Sequence, residues 1–399
     1  MLASIVNLKS IKNTFKNMQI LEKYINRSAS VITGRCNLEV LHTFRDFPVF
    51  MGCTDQAKEK DIHADMEWAI DPDTGIIQLT KLIPLEILYM DQHMDGTGAT
   101  WQDYNKKLAA FIVENNIGKI VEIGGGSGKL AFNINDLDES LEYTVVEPNP
   151  TFKATGKIKI IRSFFSRDIG IMLEPKTIVL SHVLEHVYDP YKFLSDLNSA
   201  LPNGGRFIFG YPNLEYLFKN KFTNAINFEH TILMTDYFVD YFLKSTGFQI
   251  IAKTDYLNHS HFYCVEKCSD VKRDLNVPLK SMYSHYKKMF IEYIEHHKSV
   301  VKDINRQIRN HSGEVFLFGA HIFAQSLLSF GLDSSKLSCI LDNSPMKQGK
   351  RLYGSDLIVK NPDILSHIRN PMVILKAGLY NSEIKNQIVT KINSNTVFI

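Results

Sequence analysis

Gly118-Lys119-Ile120-Val121-Glu122-Ile123-Gly124-Gly125-Gly126-Ser127-Gly128-Lys129-Leu130 is the stretch on which the fold turns. Ile120–Ile123 is a short apolar run of the kind buried in a parallel sheet. Gly124, Gly125, Gly126 and Gly128 follow at once. Glycines allow a sharp turn with positive φ and let backbone N–H groups approach a ligand. Residues 129–134 then read as the opening of a helix. A strand, a glycine turn and a helix N-terminus in that order form a nucleotide-binding corner. The dinucleotide fingerprint places a third glycine three residues after the second, and Lys129 holds that position here. The next strand, 142–147, ends in Glu147, 19 residues after Gly128. An acid at that place can accept both hydrogen bonds of a ribose diol.

The order Glu122-x-Gly124-x-Gly126-x-Gly128 resembles the first motif of class I S-adenosylmethionine (SAM) methyltransferases. On that resemblance Glu122 takes the cationic amino end of SAM, directly or through water. The glycines make room for its amino-acid and ribose portions, and Glu147 takes the ribose. Phe165 and Asp168 stand where such enzymes contact adenine. Ser181, at the end of the fourth strand, joins the cofactor set.

Strands continue at 158–161, 177–180, 205–210, 248–252 and 262–266, with helical stretches between the early ones. This alternation predicts a doubly wound α/β sheet with ligands at the carboxyl ends of its strands. Upstream, residues 31–84 read as a small β-rich module, with Asp73-Thr74-Gly75 as a hairpin turn. A helix is expected over 101–114. Downstream, 271–310 is a polar helical connector. Residues 311–399 repeat the strand–Gly–helix–strand–acid order as a second Rossmann-like unit, with Gly319-Ala320 at its turn and Asp342 as its acid. Residues 1–30 form an amphipathic helix or arm, and 85–270 form the central domain.

Composition narrows the function classes. At 399 residues the chain holds two or three domains. A net charge of +2 gives no reason to expect a nucleic-acid partner. No run of 18 apolar residues exists, so no membrane insertion is expected. Residues 1–27 carry spread lysines and no cleavable apolar core, so no signal peptide is expected. Five scattered cysteines fit a reducing cytoplasm.

The arrangement resembles the bacterial sugar C-methyltransferase family, which methylates nucleotide-linked deoxysugars. Three stretches carry the resemblance: Gly124–Gly128, Ser181–Val187 with Tyr188-Asp189-Pro190, and Leu341-Asp342-Asn343-Ser344-Pro345 with Lys347-Gln348-Gly349-Lys350. It implies a SAM-dependent transfer to a nucleotide-activated sugar by a monomer or homodimer, feeding a surface glycan or a glycosylated metabolite. It also implies an N-terminal zinc module, but its paired cysteines are mostly missing here. Cys36, His42, Cys53 and His63 fit no standard tetrahedral spacing, so the module is expected to pack without zinc. The family's Tyr-His-Glu-His segment matches Asn227-Phe228-Glu229-His230. His230 or His186 would then be the base, Glu229 would orient it or hold a sugar hydroxyl, and no metal would be required. Asn227, Tyr211 and His93 would line the acceptor.

With Asn227 in place of the tyrosine, an acidic phenol for stabilising an enolate is missing, so O-methylation is as open as C-methylation. Two other classes stay in view: a nicotinamide-dependent sugar oxidoreductase and a non-catalytic partner that keeps the fold. His259, His261, Cys264 and Cys268 do not share a strand face, so no shared metal is expected there.

Overall fold

A computed structural model describes residues 24–89, 98–270, 273–274 and 276–399. The central domain is built on a seven-stranded sheet. Its order is Phe248–Tyr256, Ser260–Lys267, Arg206–Pro212, Thr177–Ser181, Ile120–Ile123, Tyr143–Val146, Ile158–Ile161. Ser260–Lys267 alone runs antiparallel to both of its neighbours. The four residues of Ile120–Ile123 are all buried, as a continuous apolar run at the centre of a parallel sheet requires. The strand order reverses between Ile120–Ile123 and Thr177–Ser181, which pair in parallel. Their carboxyl ends therefore open a crevice at the topological switch point. The helix Ala99–Asn115 buries Tyr104, Leu108 and Ile112, spaced one turn apart, against this sheet.

The N-terminal module is a four-stranded sheet in the order Ile232–Leu233, Ile77–Leu79, His63–Ile70, Glu39–Pro48. The expected turn is present: Gly75 sits at φ +87° between the second and third of these strands. The first strand comes from the central domain, directly after Glu229 and His230. The module is thus no separate bead but shares one core with the central domain, running from Phe44, Trp68 and Leu79 through Phe209, Phe228 and Phe290.

The C-terminal domain has five parallel strands, ordered Val359–Lys360, Leu337–Leu341, Val315–Phe318, Met372–Leu375, Val397–Phe398. Its acid is already engaged. Asp342 accepts hydrogen bonds from the N–H groups of Ala320 (2.9 Å) and Ser344 (2.9 Å), and Lys347 Nζ stands at 3.0 Å.

The connector is a 28-residue helix, Tyr283–Asn310. It buries Tyr286, Phe290, Tyr293, Val301, Ile304 and Ile308 on one face. Its first half packs in the shared N-terminal and central core, and its second half in the C-terminal core. A second tie joins the N-terminal module to the C-terminal domain. Cys53–Thr54 pairs with Arg351–Leu352, and the Arg351 guanidinium grips Asp61 through two nitrogens at 2.6 and 2.5 Å.

Candidate active site

The crevice is a cavity of about 630 Å³. The glycine turn, Glu122, Glu147, Phe165, Ser181, His186 and Glu229 all line it. Gly124, Gly126 and Gly128 have φ of +78°, +47° and +76°, in the left-handed region where only glycine is unstrained. Space is as tight as the backbone is unusual. A Cβ on Gly124 would stand 2.7 Å from Val183, and one on Gly125 2.4 Å from Val145.

The two acids behave differently. Glu147 is held at its strand end by the N–H groups of Gly126 (3.2 Å) and Asn149 (2.8 Å). Glu122 lies beneath the turn, 1% exposed, and accepts a hydrogen bond from the Tyr143 hydroxyl at 3.0 Å. Burial pushes its carboxyl up to about 7, with the Tyr143 hydrogen bond working against the shift and the charge of Glu147 adding to it. A buried carboxylate at the floor and a backbone-held one at the rim suit a ligand that is cationic at one end and carries a diol at the other. The residues present therefore fit SAM. Ser181 reaches the cavity from the strand end, with its Oγ 3.3 Å from the Tyr104 hydroxyl. Phe164, Phe165 and Phe193 supply apolar wall. Asp168 is exposed in the first turn of Arg167–Leu173, where Ser166 caps the helix, and does not line the cavity.

A polar cluster shares this cavity. The short turn Leu184–His186 follows Thr177–Ser181 and brings His186 to the wall. His186 Nδ1 is 3.1 Å from the Tyr89 hydroxyl and 3.4 Å from Glu229 Oε2. On its other side, Nε2 is 4.0 Å from Glu185 Oε1. Glu185 is 1% exposed. Burial alone would raise its carboxyl, but the neighbouring rings of His182, His186 and His230 outweigh that and hold it below the ordinary range. His182 Nδ1 stands 3.1 Å from Glu185 Oε1, an ion-pair distance rather than an aligned hydrogen bond. His182 lines the cavity and is held at φ +52°.

His230 sits behind His186, with ring centroids 5.3 Å apart, and does not line the cavity. Desolvation, with His186 nearby, pushes its imidazole down to about 4. Its Nδ1 lies 3.1 Å from the Ala225 carbonyl oxygen.

Asn227 is buried, and its Oδ1 accepts the N–H groups of Glu229 and His230, both at 2.8 Å. It shapes the turn that presents Glu229 and stands away from the cavity wall. Phe228 packs into the core against Phe47. Tyr211 is also core: it is fully buried and its hydroxyl donates to the Met234 carbonyl. His93 lies outside the described residues. The sequence puts Tyr89 just before the glycine-bearing segment 95–98, where the resemblance implies a lid to the acceptor, and Glu185 within 181–187, but it gives Glu185 no role, because its importance comes from what it meets in space. An aromatic phenol just ahead of the glycine-bearing segment is the one weak signal for Tyr89.

Cys36, His42, Cys53 and His63 do not come together as a ligand group. Among the described residues, Glu185, His186 and His230 are the only three such side chains that converge.

A seven-stranded sheet with this cavity at its switch point is the frame of a methyltransferase. Residues 92–253 match the family model described as a methyltransferase domain, and residues 251–399 match a C-methyltransferase C-terminal domain. Together the two matches run over residues 92–399 and support a SAM-dependent C-methyltransferase family, in which SAM is the cofactor.

A search of curated proteins found no match. Solved structures resemble parts of the chain. Human N-acetylserotonin methyltransferase in complex with SAM is 15% identical, with a TM-score of 0.37 over 42% of this chain and 53% of that one. An N-methyltransferase from Bradyrhizobium japonicum is 10% identical, with a TM-score of 0.32 over 43% and 99%. A glycopeptide N-methyltransferase is 15% identical, with a TM-score of 0.32 over 41% and 96%. The match thus spans about half the length of the human enzyme.

Proposed function

We propose that this enzyme methylates a nucleotide-activated sugar, at a carbon beside a ketone, in the making of a surface glycan or a glycosylated metabolite. Glu122 and Glu147 hold the cofactor, with Gly124, Gly126, Gly128, Phe165 and Ser181 around it. Bound SAM supplies an electrophilic methyl group.

The observation that carries the reading is the joint placement of Tyr89, His186 and Glu229 on the wall of the cofactor cavity. Forming a carbon nucleophile beside a ketone requires a base for the C–H proton and a donor for the growing enolate oxygen. His186 is the base and the Tyr89 phenol is the donor. Tyr89 makes good the phenol that Asn227 does not provide. Glu229 orients the imidazole and favours its protonated form once the proton has arrived. His230 backs His186 and stays neutral near pH 7, as its lowered pKa of about 4 requires. The N-terminal module bears on the same site. The Leu79 N–H donates to the Thr231 carbonyl at 2.9 Å, which fixes the segment bearing Glu229 and His230.

The test is incubation with methyl-labelled SAM and a panel of nucleotide sugars with and without a keto group, followed by NMR of the product. A methyl signal on the carbon beside the retained ketone supports the reading. A methyl on oxygen overturns the carbon assignment, and no transfer to any sugar overturns the substrate class.

A further inference from the structure

We infer that Glu185, His186 and His230 form a binding site for one divalent transition-metal ion. One ligand atom from each lies within 4.8 Å of the other two. Two imidazoles and one carboxylate are a donor set that suits zinc, cobalt or ferrous iron.

Three independent features support the set. First, each imidazole has its Nδ1 side engaged. His230 Nδ1 faces the Ala225 carbonyl at 3.1 Å, and His186 Nδ1 faces the Tyr89 hydroxyl at 3.1 Å with the Glu229 carboxylate at 3.4 Å. A ring that donates Nδ1–H to a carbonyl or carboxylate carries its lone pair on Nε2, which is how metal-binding histidines are ordinarily oriented. Second, His186 Nε2 points toward Glu185, 4.0 Å from Oε1. Third, Glu185 is 1% exposed, and neither of its oxygens has a hydrogen-bond partner among the described residues. Such a carboxylate is costly to bury with only off-line imidazoles beside it, His182 at 3.1 Å and His186 at 4.0 Å, and a cation would satisfy it. Bonds of about 2.0–2.1 Å place tetrahedral ligand atoms roughly 3.4 Å apart, so closing the site takes side-chain shifts of about 1 Å.

The ion would lie behind His186, on the face turned away from Tyr89. Coordination takes the Nε2 lone pair and keeps a proton on Nδ1, the nitrogen beside the Tyr89 hydroxyl and Glu229. In that state His186 cannot accept a proton, so ion binding and use of His186 as a base exclude one another. This consequence rests on the proposed function; the binding itself does not.

The experiment is titration of the full-length protein with Co²⁺, without SAM or acceptor, followed by visible absorption. Uptake of Zn²⁺ by equilibrium dialysis provides a second measure. We expect one equivalent bound, with ligand-field bands of a low-coordinate site. Affinity should fall at least tenfold in His230→Gln and in Glu185→Gln. SAM binding by these variants, measured by calorimetry, shows that each is folded. Absence of stoichiometric uptake by the wild type overturns the site, as does unchanged affinity in the folded variants. If Zn²⁺ binds at this site yet leaves methyl transfer unaffected, the exclusion is wrong while the site stands.

Discussion

Glu122→Gln should make the cofactor-free protein more stable at alkaline pH and a poorer binder of SAM. The native carboxyl titrates at about 7 because it is buried, against an ordinary value of 4.5. Between those values the native state keeps a proton that the unfolded chain has released. Stability therefore falls as pH rises through this window, the reverse of the usual ion-paired carboxylate. The gap of 7 − 4.5 = 2.5 pH units corresponds to roughly 3 kcal/mol at about 1.36 kcal/mol per unit. The full penalty applies above pH 7, and most of it is gone by pH 5.

Glutamine keeps the shape and the acceptor for Tyr143 but cannot ionise. The variant should gain about 1–3 kcal/mol over wild type at pH 8 and much less at pH 5. Urea unfolding without cofactor at both pH values measures this. Calorimetric titration at pH 8 should show SAM affinity lowered about 10- to 100-fold, the worth of one charge-assisted hydrogen bond. In the wild type, affinity should climb with pH up to about 7 and then level off. A variant less stable than wild type at pH 8, or one that binds SAM within twofold of it, refutes the assignment of Glu122.

Gly125→Ala places a methyl 2.4 Å from Val145 and 3.3 Å from the Glu122 carboxyl. It should cost about 1–3 kcal/mol in denaturant unfolding and weaken SAM binding. His186→Gln should lower single-turnover methyl transfer about 10²- to 10⁴-fold while calorimetry shows SAM affinity little changed. Asp61→Ala leaves the Arg351 guanidinium buried without its carboxylate. Thermal unfolding should show a loss of about 3–5 kcal/mol, with the C-terminal domain losing its hold on the N-terminal module.

Much of this molecule was legible in local pattern. The run Ile120–Ile123, its glycines and the acid at 147 led to a cofactor corner, and the structure has that corner with both acids on one cavity. Strands at 158–161 and 177–180 fell where the sheet has them, because continuous apolar runs bounded by turn residues have few other ways to be buried. The hairpin at Asp73-Thr74-Gly75 was readable because only a glycine-bearing turn suits that backbone.

The acceptor side was less legible, and the reason is distance along the chain. Tyr89 and His186 are 97 positions apart, and no periodicity links them. A tyrosine was missing at 227, and another reached the same imidazole from elsewhere. Tyr211 looked available from its position after a strand, yet packing turned it into the core. Asn227 kept a polar side chain but spends it on two backbone N–H groups.

Taken alone, the sequence determined the parallel sheet and the glycine turn that follows Ile120–Ile123, since each follows from short-range spacing and backbone conformation. Tertiary structure decided which histidines meet the cavity, His182 and His186 rather than His230. It also put a buried glutamate beneath three imidazoles and had the N-terminal sheet borrow Ile232–Leu233 beside the site. Those outcomes depend on which surfaces are driven together when the shared core closes, and that is a property of the whole chain rather than of any stretch of it.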